Sequence, residues 1–275
     1  MLKKIAAVLL ALVLAGCSTA GPNTTTTENN QPDTVEITKD VQEIIDRGHL
    51  IVGCKNDVPG FGFYNEETGK YEGMEIGLAY QIAAKIFDVS YNEAVEDELV
   101  EFVPVAVDDR EKVLENHEVD YVIATYTITD ERKEKVNFSK SYYASSVGLM
   151  VNITKIGENT LKEERIRSII DLDNKIIGVM SNSTTRRDFL DYIQKHNINI
   201  SPRFVTYKSY DQLAKALDNG DIDVFCVDVT ILTGYLDENK KILDDRFATQ
   251  HYGIASPKDK EGLNEIANIV VSEMD

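Results

Sequence analysis

The sequence predicts an α/β protein of two similar lobes, each a mostly parallel sheet flanked by helices. Three observations carry this. The stretch LENHEVD (114–120) matches LDNGDID (217–223) position for position, and each copy ends a helical pattern and enters an apolar run, YVIAT (121–125) or VFCVD (224–228). A weaker pairing sets Leu50-Ile51-Val52-Gly53 beside Lys175-Ile176-Ile177-Gly178, in the same order. Strand-like and helix-like segments alternate through both halves.

The N-terminus concerns location and not fold. MLKK is a basic start, and Ile5 to Leu14 is an apolar run too short to span a bilayer, which reads as a signal peptide over residues 1–16. Leu14-Ala15-Gly16-Cys17 resembles a bacterial lipobox, which implies cleavage before Cys17 and lipid attachment to its thiol. Residues 18–34 have no apolar periodicity and are rich in Thr, Asn and Pro, as in a flexible tether. Such a tether reaches roughly 20–25 Å. The expected folded part starts near residue 35.

Along that part, LIVG (50–53) is a buried strand followed by Lys55. The helices that end in the two repeat copies begin with capping-box spacings, Asp108 with Glu111 and Ser209 with Gln212. The run TYTITDER (125–132) reads as a strand end entering a helix capped by Thr129, with Asp130 and Glu131 in the first turn. IIGVM (176–180) is the second lobe's opening strand, and the polar loop Asn182 to Arg187 feeds the helix carrying Phe189, Leu190 and Ile193. Asp228 closes the strand VFCVD ahead of TILTGY.

Charge narrows the function. The formal net charge is −18 and becomes more negative once Lys3 and Lys4 are cleaved away. An acidic surface repels nucleic acid, so nucleic-acid binding is set aside. Of three cysteines, Cys17 is assigned to lipid; Cys54 and Cys226 lie far apart in apolar runs and are expected to be buried free thiols. The four histidines show no metal-ligand spacing, and there is no Walker loop. No cofactor is expected.

Open parallel sheets bind ligands outside the carboxyl ends of their strands. Lys55, Thr125, Ser183–Thr184 and Asp228 all follow or close such strands, and facing lobes would place them along one cleft. Arg132, with Thr125 and Thr127, suits a clamp for a carboxylate or phosphate, built from a forked guanidinium and helix-start N–H groups. It equally suits a surface ion pair with Asp130 or Glu131. Asp228 suits an ammonium ligand or a plain helix N-cap. The loop at 182–187 offers donors to an anion or is a solvated cap.

The runs GMEIGLA (73–79), VDYVIATYTITDERKEKVNFSKSYY (119–143), IIGVMSNSTTRRDF (176–189) and IDVFCVD (222–228) resemble bacterial extracellular solute-binding proteins for polar amino acids, which serve ABC importers. The resemblance spans about Gly48 to Ile254. It implies a type II periplasmic binding protein: lobes at 35–148 plus 253–275 and at 149–252, joined by crossovers near Val147–Val151 and Tyr252–Ile254. It implies that Arg132 holds the ligand's α-carboxylate with help from Thr127, Ser183 and Thr184, and that Asp228 and Thr125 take the α-ammonium. Lys55 stands where basic-amino-acid binders often carry an acid, and Arg110, 22 residues before Arg132, matches an Arg of aspartate and glutamate binders. Lys55, Arg110 and Arg132 against Asp228 give the site +2, which favours an acidic ligand. Cysteine or another small polar amino acid stays an alternative, as does an adhesin, a sensor or a dehydratase-like enzyme on the same fold. The expected partners are an ABC permease and its ATPase, and the expected state is a monomer lipid-anchored on the extracellular face of the membrane. Departures from the family pattern are Gly77 where Asp is usual, Gly60 where Pro is common, and an end at Asp275 one helix early.

Overall fold

Strands β1 (Leu50–Cys54) and β8 (Ile176–Met180) start two copies of one arrangement. A computed structural model of the chain describes residues 37–154 and 165–274; the signal peptide, Cys17 and the tether lie outside them. The remaining strands are β2 (Asp57–Val58), β3 (Gly62–Asn65), β4 (Lys70–Glu72), β5 (Val100–Pro104), β6 (Tyr121–Ile123), β7 (Val136–Asn152), β9 (Arg203–Tyr207), β10 (Val224–Asp228), β11 (Lys240–Ile242) and β12 (Phe247–Pro257). The helices are α1 (Lys39–Arg47), α2 (Met74–Phe87), α3 (Tyr91–Glu96), α4 (Arg110–Glu115), α5 (Asp130–Lys135), α6 (Thr185–Lys195), α7 (Tyr210–Asn219), α8 (Val229–Gly234) and α9 (Glu261–Ser272). All described residues belong to one compact unit, Glu36–Asp275.

The large sheet runs β5-β1-β6-β12-β7-β10-β8-β9, with β11 beside β7. β1 is parallel to β5 and β6, and β8 is parallel to β9 and β10. The long strands β7 and β12 run antiparallel between these two flanks. The segments expected to serve as crossovers, Val147–Val151 and Tyr252–Ile254, lie within β7 and β12. One apolar core gathers Leu114, Val122, Ala124 and Tyr126; another gathers Leu149, Ile177, Phe189 and Cys226. Cys54 and Cys226 are buried free thiols, as expected.

The sequence repeat has a physical cause. Asp120 ends the first copy, and its carboxylate accepts from the backbone N–H of Ile51 at 2.7 Å. Asp223 ends the second and accepts from Ile176 N–H at 2.7 Å. Each Asp therefore pins the start of the neighbouring parallel strand, at the two isoleucines that the weaker pairing aligns. Its glycines are fixed by packing: a Cβ on Gly53 would lie 2.8 Å from Val105, and one on Gly178 would lie 2.5 Å from Ile222.

The caps are mixed. Thr129 accepts from Arg132 N–H at 3.2 Å, and Ser209 accepts from Gln212 N–H at 3.3 Å, so both expected N-caps form. Neither expected box is complete: Gln212 Oε1 accepts from Lys208 N–H at 3.2 Å, and none forms at Asp108. The N-cap of α4 is Asp109 without a side-chain cap, because Asp108 is drawn away to Ser181, whose hydroxyl donates to it at 2.9 Å.

Candidate functional site

The stretch TYTITDER leaves β6 and runs beside β12, held by Ile128 N–H to His251 O at 2.8 Å and Gly253 N–H to Tyr126 O at 3.1 Å. Thr125 makes the turn out of β6 in the left-handed region, at φ +44°. That path buries Tyr126 and brings Arg132 back over it from the first turn of α5. The Arg132 guanidinium carbon lies 4.7 Å from the Tyr126 ring centre, and that of Arg110 lies 4.2 Å from the same centre.

Arg110 and Arg132 are 4% and 8% exposed. Arg132 donates to Thr127 O at 2.7 Å and to Asn182 O at 3.2 Å. Arg110 donates to Ala124 O at 3.2 Å and Val107 O at 3.3 Å. Among the described residues, neither has a carboxylate oxygen within 4.0 Å. Carbonyl dipoles solvate them only in part. Burial, with the charge of Arg110 next, draws the Arg132 guanidinium down to about 10.

The two guanidinium groups line a cavity of about 290 Å³ together with Tyr126, Ser183, Thr184 and Arg187. Its other charges are largely satisfied: Lys135 pairs with Glu111 at 2.6 Å, and Arg187 approaches Glu131 at 3.8 Å. The surface pairing considered for Arg132 with Asp130 or Glu131 is absent among the described residues. Ser183 donates to Met180 O at 2.9 Å, and Thr184 donates to Gln250 Oε1 at 3.1 Å. Thr184 holds the N-cap position of α6 without capping it.

Four expected residues stand elsewhere. Thr127 contributes its carbonyl to Arg132 and does not line the cavity. Lys55, 3% exposed, forms an ion pair with Asp57 Oδ1 at 3.1 Å. Asp228 sits at the N-cap of α8 but caps nothing; its Oδ2 accepts from the Tyr252 hydroxyl at 2.5 Å. Burial pushes the Asp228 carboxyl up to about 6, against the Tyr252 bond, which favours its ionised form. Thr125 donates its N–H to Glu75 Oε1 at 2.6 Å, while its own hydroxyl is buried with no hydrogen-bond partner among the described residues.

The charge sum read from sequence missed two carboxyls. With Asp57 and Glu75 added to Asp228, three cations face three acids, so the surplus of +2 disappears when all are ionised. Glu75 is fully buried in the first turn of α2, and burial pushes its carboxyl up to about 7. A Glu beside Ile76, Leu78, Ala79 and Ile82 on the buried face of a helix is a sequence signal for such a group. Tyr126, Tyr142 and Tyr252 carry no such signal, because a buried tyrosine reads as core until its hydroxyl partner is known.

Residues 50–185 match the family described as "Bacterial extracellular solute-binding proteins, family 3". The glutamine-binding protein of Geobacillus stearothermophilus is 31% identical over 256 residues, which cover 92% of this chain and 90% of that protein. The glutamate-binding protein GluB of Corynebacterium efficiens is 26% identical over 242 residues, covering 84% and 75%. Among solved structures, an ancestral arginine-binding protein bound to glutamine superposes with a TM-score of 0.66 at 30% identity, over 83% of this chain and 92% of that one.

Proposed function

The chain belongs to the bacterial extracellular solute-binding proteins of family 3, and from that premise we propose that it is a receptor for an acidic amino acid, glutamate or aspartate. Amino-acid capture for an ABC importer is the function of this class. One observation carries the acidic reading: Arg110 and Arg132 are buried over one ring without a carboxylate partner among the described residues. Buried charge without an opposite charge is costly. A ligand with two carboxylates supplies one to each.

In this reading Arg132 takes the α-carboxylate, with the loop at Ser183 and Thr184 beside it, and Arg110 takes the side-chain carboxylate. Asp228 and the strand end at Thr125 receive the α-ammonium, and Thr127 holds Arg132 in place. β7 and β12 serve as crossovers between lobes at 35–148 plus 253–275 and at 149–252. Ligand bridging Arg132 and Asp228 favours the closed arrangement because only that arrangement offers both partners. Bonds from Arg132 to Asn182 O and from Ser181 to Asp108 are consistent with that closure. Cys17 carries the lipid anchor on the extracellular face of the membrane, and the protein works as a monomer with a permease and its ATPase. Catalysis has no place in this scheme.

The balanced set of Lys55, Arg110 and Arg132 with Asp57, Glu75 and Asp228 favours a second reading, in which the ligand is neutral and resembles glutamine. Titration calorimetry separates the two. Protein starting at Ser18 is unfolded and refolded to remove carried-over ligand, then titrated with glutamate, aspartate, glutamine, cysteine and arginine. Tight binding of glutamate or aspartate alone supports the acidic reading. Preference for glutamine or cysteine replaces it within the same family, and silence from all five in folded protein sinks it.

A further inference from the structure

Glu75 lies outside the cavity described above, yet its carboxyl reaches the backbone that the ammonium end of the site depends on. It is 0% exposed and sits one residue into α2. Its Oε1 accepts two short bonds, from Thr125 N–H at 2.6 Å and from the Tyr142 hydroxyl at 2.5 Å. Oε2 has no partner among the described residues, and Gly62, without a Cβ, leaves the space beside it open. Tyr142 belongs to β7, and its ring centre lies 6.2 Å from that of Tyr252, the tyrosine that bonds Asp228. The group is therefore tied to the strand end, to β7 and, through two rings, to the carboxylate on β10.

Thr125 needs such a tie. A β-branched residue at φ +44° is strained and persists only where its surroundings determine it. Its N–H donates to Glu75 in α2, the one acceptor it has among the described residues. Without that acceptor a buried N–H is left unsatisfied and the turn loses the reason for its shape. We infer that Glu75 is a positioning residue for amine recognition: by bonding Thr125 N–H and the Tyr142 hydroxyl through one oxygen, it fixes the strand end that meets the ligand's α-ammonium. This inference rests on the amino-acid-receptor reading above.

The test asks whether Glu75 affects the amine in particular. Affinities for glutamate and for glutarate, which lacks the α-amine, are measured by calorimetry or competition for wild type, Glu75→Leu, Glu75→Gln and Tyr142→Phe. Glutamine and its deaminated counterpart replace them if glutamine is the tighter ligand. The loss of an acceptor for one buried N–H lowers glutamate affinity roughly tenfold in Glu75→Leu, while glutarate affinity holds, so the glutamate-to-glutarate ratio falls by that factor. Glu75→Gln keeps an oxygen in the same place and keeps most of the ratio. Tyr142→Phe removes one of the two bonds and lowers the ratio by less, and it carries the test if Glu75→Leu fails to fold. Equal losses for both ligands, an unchanged ratio in Tyr142→Phe, or a Gln variant as impaired as the Leu variant would each overturn the inference. Wild type that binds no amino acid would overturn the receptor reading as well, which distinguishes the two failures.

Discussion

Arg110 and Arg132 share one aromatic face-partner, the buried ring of Tyr126, with their guanidinium carbons 4.2 and 4.7 Å from its centre. Like charges beside one desolvated ring raise each other's cost, and Arg110, after burial, contributes to drawing Arg132 down to about 10. An anion between them relieves both. Arg132→Ala should lower affinity for every amino acid ligand by roughly hundredfold or more, since bidentate, charge-assisted bonds are lost. Arg132→Lys should recover little, because an ammonium cannot reproduce the planar fork that reaches Thr127 O and Asn182 O. Calorimetry on folded variants decides this; retained affinity in Arg132→Ala would remove the clamp from the site.

Arg110 and Lys55 should separate. Arg110→Ala should weaken glutamate and aspartate by roughly tenfold or more relative to glutamine, because its guanidinium lines the cavity without a carboxylate partner among the described residues. Lys55 is already paired with Asp57. Lys55→Met should instead reduce stability by about 2 kcal/mol, because half-buried Asp57 keeps its bond from Tyr210 N–H but loses its cation, and Lys55→Met with Asp57→Asn should restore much of it. Chemical denaturation and ligand titration of the same four proteins check both halves. A selective loss of acidic ligands in Lys55→Met would return that lysine to the site.

The repeat was legible because it is a backbone device: Asp120 and Asp223 each bond the first residues of a parallel strand, and the surrounding apolar runs follow. The cluster at TYTITDER was legible because a guanidinium at a helix start is out of place and so draws notice. Lys55 misled, since its partner Asp57 is two residues away, on a strand of only two residues that no periodicity reveals. Asp108 misled in the same manner: its spacing to Glu111 is that of a cap, but Ser181, 73 residues on, competes for its carboxylate. Glu75 is marked as buried by its helix face, but its role is not, because its partners Thr125 and Tyr142 are 50 and 67 residues distant. Local rules read elements well and miss bonds that only the tertiary path creates.

Glu75 should leave a signature in stability against pH. Its carboxyl has an ordinary value of 4.5 when unfolded and about 7 when folded, raised by burial against the bonds from Tyr142 and Thr125. Between those values the folded protein keeps a proton that the unfolded chain has released. Its contribution to stability is therefore greatest below pH 4.5 and declines as pH rises toward 7, by on the order of 3 kcal/mol. Glu75→Gln lacks the proton and should lack the decline. Urea unfolding of ligand-free protein at pH 4.5, 6 and 7.5 reads the difference between the two proteins; parallel curves would show that Glu75 keeps an ordinary titration.

Tyr252 should set the acid limit of binding. The Asp228 carboxyl must be ionised to hold an ammonium, and burial pushes it up to about 6. Affinity should therefore hold steady above that value and fall as pH drops through it, approaching tenfold per pH unit well below. The Tyr252 hydroxyl bonds Asp228 Oδ2 at 2.5 Å and favours the ionised form. Tyr252→Phe removes that bond, so the carboxyl titrates at a still higher pH and the fall begins sooner, while the affinity at pH 9 changes little. Calorimetric titrations from pH 5 to 9, made in the Glu75→Gln background so that Asp228 titrates without Glu75, give the midpoint directly. A midpoint unmoved by Tyr252→Phe would mean that the ammonium is held by some group other than Asp228.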